Sequence, residues 1–222
     1  MKRLIIAIDG PSGAGKGTVA RAVASNLGYR HVDSGAMYRA VGWKALRDGL
    51  ALDDEASVMR LAERAHIVLN GLTTTIDGED VSHAIRTPDI DRAAASVARL
   101  PAVRTILVAR QRALGAGGGI VMEGRDIGTV VFPDADVKLY LDASAEERAR
   151  RRAHDPAHHG GPDKVSDVAT LLTERDRLDT TRAASPLYAA ADAIAIDTTG
   201  KRIEEVVADV MAIVKRRLET TS

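Results

Sequence analysis

Cysteine is absent from the 222-residue sequence, which excludes disulfides and thiol chemistry and is compatible with a reducing compartment. No apolar run approaches the roughly 20 residues needed to cross a bilayer, so no membrane partner is expected. The N-terminus leads straight into an apolar segment, which argues against a cleavable signal peptide and for a cytoplasmic protein. There is no excess of charge either: 31 Lys and Arg balance 31 Asp and Glu. That balance argues against a general nucleic-acid binder. The Asn-Lys-x-Asp stretch usual in guanine-reading switches is missing too, and no internal repeat is present. The composition is that of a globular protein, 45% hydrophobic, with room for one α/β domain and its insertions.

The most informative stretch comes first. Leu4-Ile5-Ile6-Ala7-Ile8 reads as a buried strand, and Val19, Ala22, Val23 and Leu27 recur at helical spacing. Between them lie Gly10, Pro11, Ser12, Gly13, Ala14, Gly15, Lys16, Gly17 and Thr18. A strand, a glycine-rich loop and a helix opening at a Gly-Lys pair form a phosphate-binding loop. Its inward N–H groups and the positive end of the helix hold a polyphosphate, and Lys16 reaches the β- and γ-phosphates. Gly17 stands where Ser or Thr is usual, and the hydroxyl comes at Thr18.

Gly28 caps the first helix, residues 29–32 form a short strand, and Asp33-Ser34-Gly35 turns at its carboxyl end. Ligands of open parallel sheets sit beyond those ends, which puts the turn beside the phosphate loop. A helix from about Ala36 to Arg47 carries Tyr38 and Arg39 in its first turn, and Trp43 reads as packing. Asp53 or Asp54 caps a helix to about Ala65. From His66 to Val81, short β-prone runs are joined by Asn70-Gly71 and Asp77-Gly78, both hairpin signals, and read as an inserted antiparallel unit. Ile85 to Arg99 and Ala102 to Leu114 are helical, interrupted at Pro101.

The strand Ile120-Val121-Met122 ends in Glu123-Gly124-Arg125-Asp126, and Val137 to Leu141 is another buried strand. Ser144 and Glu147 form a capping box for a helix carrying Arg148, Arg150, Arg151 and Arg152. Residues 154–162 are a polar break whose His154, His158 and His159 read as a solvated loop rather than a metal site. A helix from about Ser166 carries Arg175, Asp179 and Arg182, followed by a strand at Ala193 to Ile196 and an amphipathic helix at Arg202 to Leu218. The fold expected is a three-layer α/β sandwich. Its parallel sheet has five strands, at 4–9, 29–32, 119–123, 137–141 and 193–197, with helices on both faces.

Asp33-Ser34-Gly35-Ala36-Met37-Tyr38-Arg39 and the run from Glu123 through Ile127, Gly128 and Thr129 to Pro133 both fall at the sheet edge that holds the phosphate loop. With that loop, these stretches closely resemble the bacterial cytidylate kinases, a family of nucleoside monophosphate kinases. The resemblance runs from Ile5 to the final helix, and the Gly-Lys-Gly-Thr ending is normal for monophosphate kinases. It implies a single phosphate-loop kinase domain over residues 1–222, with a monophosphate-binding insertion at about 60–100 and a lid at about 150–165. The implied reaction moves the γ-phosphoryl group of ATP to CMP, and to dCMP, with Mg²⁺; the implied state is a monomer.

Carried over by position, Lys16 and the backbone of Gly10 to Thr18 hold the ATP phosphates. Arg39, Arg125 and Arg182 hold the acceptor phosphate beside Tyr38, while Ser34, Arg104 and Asp126 read the cytosine. Arg175 and Asp179 reach the sugar, and Arg148 and Arg151 neutralise transferring charge. A serine that reads cytosine in some relatives falls on Ala95, with Ser96 adjacent. Phosphoryl transfer needs positioning and charge stabilisation rather than covalent help, so glycines, a lysine, arginines and Mg²⁺ suffice. Thr18 is the expected protein oxygen on the metal, with Glu123 acting through waters. The lid arginines are expected to repel one another until a polyphosphate lies between them. A kinase for another small acceptor, such as UMP, AMP, GMP or shikimate, is the rival reading.

Overall fold

The five apolar segments expected as strands pair in one all-parallel sheet. The structure, a computed structural model, describes residues 3–155 and 164–221. The strands are β1 (Ile5–Asp9), β2 (Arg30–Asp33), β6 (Ile120–Gly124), β7 (Val137–Asp142) and β8 (Ile194–Asp197), in the order β2-β6-β1-β7-β8. Parallel strands need helical crossovers, which cover both faces; the inner strands β1 and β6 are largely apolar, whereas the edge strand β2 carries Arg30, His31 and Asp33. Successive β1 side chains point to opposite faces, as a period of two requires. Ile6 and Ile8 pack with Val19 and Val23 of α1 (Lys16–Leu27) and with Val206 and Val210 of α8 (Ile203–Thr221). Ala7 faces the other way, into a core shared with α2 (Ser34–Arg47), α3 (Glu55–Arg64), α4 (Pro88–Val97) and α5 (Pro101–Gly115). Trp43 packs against that second core, with the Arg47 guanidinium 4.9 Å from its ring centroid.

Register then sets the functional edge. Asp9 lies opposite Gly124 on one side and Tyr140 on the other, and Asp33 lies opposite Glu123. The carboxyl ends of β1, β2 and β6 therefore open onto a single cleft.

The inserted unit is a three-stranded antiparallel sheet of β3 (Ile67–Asn70), β4 (Thr73–Ile76) and β5 (Glu79–Asp80). Asp77 and Gly78, both at positive φ, form its second turn as the sequence signalled. The first turn is shifted by one residue. Asn70 pairs with Thr73, so Gly71 and Leu72 are the central residues and Gly71 alone takes positive φ.

Helix starts also moved where proline and capping chemistry compete with periodicity. Pro101 opens α5 rather than interrupting a helix, because its missing N–H costs nothing in a first turn. Thr87 caps α4 through a bond from Ile90 N–H, three residues later than the apolar pattern suggested. Only half of the expected capping box forms on α6 (Ala145–Ala153). Ser144 Oγ accepts from Glu147 N–H, but the Glu147 carboxylate turns to Arg150 and Arg151.

A turn of π-helix at Ile127–Val131 had no sign in the sequence. Its widened ring is carried by Val131 N–H to Asp126 C=O at 3.1 Å and by Phe132 N–H to Ile127 C=O at 2.6 Å.

Candidate active site

At the donor end, the phosphate loop is wedged between β7 and the cleft. A Cβ on Gly10 would lie 1.9 Å from the Leu141 carbonyl oxygen, so only glycine fits there. Gly10 and Pro11 form the back of the loop, and Ser12 to Thr18 line a cavity of about 510 Å³. Lys16 is buried and donates from Nζ to the Pro11 carbonyl at 2.7 Å. Burial, reinforced by Arg125 and opposed by Glu123, pushes its ammonium down to about 7. Gly17 lies against the end of a carboxylate side chain: a Cβ there would stand 2.8 Å from Glu123 Oε1. His31 Nε2 meets the same Glu123 oxygen at 3.3 Å, while Thr18 lies on the exposed side of the first helical turn.

At the acceptor end, Arg39, Arg104, Arg125, Asp126, Arg175, Asp179 and Arg182 all line the same cavity as Ser34 and Tyr38. Asp33 caps α2 by accepting from Ala36 N–H at 3.1 Å, and its second oxygen takes Arg39 Nη2 at 2.6 Å. Burial alone would raise the Asp33 carboxyl; Arg39, Arg86, His31 and the amide outweigh it and hold it at about 2. Arg104 and Asp126, two of the three expected base readers, form a buried hydrogen-bonded ion pair with each other. The Arg104 guanidinium also lies 5.6 Å from the Tyr38 ring centroid. Burial, opposed by Arg104 and reinforced by Asp126, pushes the Tyr38 phenol up to about 12.

Arg125 donates to Asp179 Oδ2 at 2.8 Å, and Arg182 bridges Asp126 and Asp179 at 3.6 Å each. Asp179 and Arg182 stand at the C-terminal end of α7 (Val165–Thr181). Ser34 donates from its hydroxyl to the Glu123 carbonyl at 2.7 Å, which ties the start of α2 to the end of β6. Ala95 lines the cavity, whereas Ser96 points outward and donates to the Arg92 carbonyl at 3.2 Å.

The lid arginines differ from expectation. Each already has a carboxylate: Asp176 for Arg148, Glu147 for Arg150 and Arg151, and Asp91 for Arg152. Their like charges are thus countered within the protein, these three carboxylates serving the four arginines. Of the four, Arg151 and Arg152 line the cavity. Residues 156–163 of the expected lid, with His158 and His159, lie outside the described residues.

Several functional positions escaped sequence reasoning. Asp91 of α4 holds both Arg152, at 2.9 Å, and Arg175, at 2.8 Å. Beyond β8, Thr198, Lys201, Ile203 and Val206 line the far end of the cavity, where Arg151 donates to the Thr198 hydroxyl at 2.9 Å and carbonyl at 2.7 Å. The strand-end rule that flagged Asp33 and Glu123 applies equally to the turn after β8 and would have found this segment. Asp91 carried no signal, since its acidic position in the first turn of a helix reads as ordinary dipole complementation.

A buried phosphate-loop lysine facing a cleft of ion-paired arginines, on a β2-β6-β1-β7-β8 sheet, defines a phosphate-loop kinase. A gluconokinase structure from Sinorhizobium meliloti 1021 shares the fold, with a TM-score of 0.53 at 16% identity, covering 99% of this chain and 97% of that one. The family model for cytidylate kinase matches residues 6–216, and the chain belongs to that family. The cytidylate kinase of Pelotomaculum thermopropionicum is 51% identical, with 93% of this chain and 94% of that protein covered. That of Solibacter usitatus is 47% identical, with 98% and 94% covered. Among the described residues, no helix is long and apolar enough to cross a membrane, and no group of three or more His, Cys, Asp or Glu is placed to hold a metal ion.

Proposed function

We propose that this chain transfers the γ-phosphoryl group of ATP to CMP, and to dCMP, giving ADP and the nucleoside diphosphate. One observation carries the reading. Arg39 Nε, Arg175 Nε and Arg182 Nη2 are buried beside the cleft with no hydrogen-bond partner among the described residues. Buried donors are almost always satisfied, and charged ones most strongly by phosphate oxygens. All three residues line the cleft that also holds the phosphate loop and the Arg104–Asp126 pair, and an acceptor phosphate bound there would supply their partners.

The chemistry follows from this arrangement. An acceptor phosphate oxygen attacks the γ-phosphorus, the bond to the β-phosphate oxygen breaks, and ADP leaves. The attacking oxygen is already ionised, so no side chain takes a proton. Lys16 and the Ser12–Thr18 amides hold the donor phosphates, and Arg39, Arg125 and Arg182 hold the acceptor and balance its charge. Arg175 and Asp179 flank the sugar, and Arg151 lies over the donor side. Asp126 accepts from the cytosine amino group while Arg104 donates to its N3 and O2. Mg²⁺ suits a site with one hydroxyl, Thr18, and one carboxylate, Glu123. Such ions keep several waters and bind through one or two protein oxygens plus the phosphates. The space a side chain on Gly17 would fill is taken by that Glu123 carboxylate, which aims it at the loop. When bound, the ion offsets charge on the transferring phosphoryl group. We read the protein as a monomer.

The test is ADP release with ATP and Mg²⁺ across CMP, dCMP, UMP, AMP, GMP and shikimate. A CMP-specific signal supports the reading. Preference for UMP would favour the rival acceptor, and slow hydrolysis indifferent to every acceptor would point to a nucleotide switch.

A further inference from the structure

The carboxylate of Asp9 is buried at the end of β1, and among the described residues no cation stands within ion-pair distance of it. Burying a carboxylate this way is costly unless it is fully hydrogen-bonded. Its bonds go to two consecutive amides: Oδ1 accepts from Ile127 N–H at 2.8 Å and Oδ2 from Gly128 N–H at 2.7 Å. Those amides open the π-turn directly after Asp126. The Asp126 carbonyl is held in turn by Val130 N–H at 2.9 Å and Val131 N–H at 3.1 Å. The peptide that follows Asp126 is thus gripped from both sides, which sets the direction of its side chain toward Arg104 and Arg182.

A Cβ on Gly128 would reach contact with Asp9 Oδ2 at 3.4 Å and come 3.2 Å from Lys138 Cδ, so the turn lies against the carboxylate. Asp9 is also the residue before Gly10. It is therefore bonded covalently to the phosphate loop and by hydrogen bonds to the turn that reads the acceptor. Its neighbours in sequence suggest that it shapes the loop, but its bonds in space point elsewhere.

We propose that Asp9 is a positioning residue for acceptor recognition, aiming Asp126 through the amides of Ile127 and Gly128. The inference rests on the CMP reading above. In Asp9→Asn, one amide keeps its acceptor while the other faces the NH₂ group of the new side chain. The expected result in the full chain is a rise of about ten-fold in KM for CMP and a smaller CMP-over-UMP ratio, with KM for ATP within about two-fold of wild type. A raised KM for ATP with CMP unaffected would mean that Asp9 shapes the phosphate loop, and would overturn the proposal. So would unchanged constants for both substrates in a folded variant.

Circular dichroism and thermal unfolding establish folding. If Asp9→Asn does not fold, Gly128→Ala loads the same contact from the turn, setting a methyl against Lys138 and the Asp9 carboxylate. It should raise KM for CMP about three-fold and leave ATP unaffected. Unchanged KM for CMP in that folded variant would likewise overturn the proposal. A wild type that ignores CMP defeats the functional reading itself, whereas a CMP-specific wild type with a silent Asp9→Asn defeats only the role of Asp9.

Discussion

At the donor end of the cleft, nine consecutive residues, Gly10 to Thr18, running from the end of β1 into the first turn of α1, supply the loop, its lysine and its helix terminus. At the acceptor end, Arg39, Arg104, Asp126 and Asp179 come from α2, α5, the segment after β6 and α7. Partners there stand far apart in the chain: Arg104 and Asp126 by 22 residues, Arg125 and Asp179 by 54. A locally built site works through backbone amides and tolerates no added side-chain volume. A site assembled from distant segments works through buried ion pairs, and each pair holds its segments in register as well as recognising ligand. Damage to the first should therefore fall on chemistry, and damage to the second on specificity and stability together.

The strongest break in this contrast is Lys16→Ala. It should lower kcat by about 10³-fold or more by removing charge that faces the transferring group. Thermal stability should hold, because a buried lysine pushed down to about 7 is desolvated at a cost to the fold. Near-normal turnover in a folded variant would refute the loop assignment.

Asp126→Asn attacks the other end. Its amide offers a donor to uracil O4 as well as an acceptor to the cytosine amino group, so the CMP-over-UMP ratio in kcat/KM should fall about 100-fold. Arg104 loses its ionic partner in the same variant, which should cost about 1–3 kcal/mol in denaturant unfolding. Loss of specificity without loss of stability would separate two roles that the geometry joins.

Gly17→Ser tests how little volume the donor end tolerates, given that its Cβ would lie 2.8 Å from Glu123 Oε1. Displacing Glu123 should destabilise the fold by about 1 kcal/mol. The Mg²⁺ concentration for half-maximal rate should rise, read from a metal titration at saturating ATP.

The smallest effect is a proton. Burial sets Lys16 at about 7, so the side chain is largely neutral at pH 8 and largely charged at pH 6. A triphosphate beside it favours the charged form. Binding of MgATP should then take up close to one proton at pH 8 and almost none at pH 6. Calorimetry in buffers of different ionisation enthalpy measures this, and Lys16→Arg should abolish the uptake.

The same contrast governs what could be read in advance. The phosphate loop, the five strands and the αL cap at Gly28 depend on residues within a turn or two of each other, and each was legible. The acceptor arginines were placed by resemblance. Their partners were not, because nothing near Arg152 or Arg175 in sequence points to Asp91. The charge run from Arg148 to Arg152 showed only one of its counterions in the sequence, Glu147 of the same helix; Asp176 and Asp91 arrive from α7 and α4. The π-turn was invisible for a similar reason: its stabilising carboxylate, Asp9, lies 118 residues from the first amide it accepts.

By itself, then, the sequence determined the layers, the strands and the donor loop, since periodicity and backbone freedom are properties of neighbouring residues. Tertiary structure alone decided which carboxylate most of the arginines meet and where Asp9 directs its oxygens. Coulomb and hydrogen-bond energies depend on distance in space, and at this cleft the decisive distances are set by the parallel register of β1, β2 and β6.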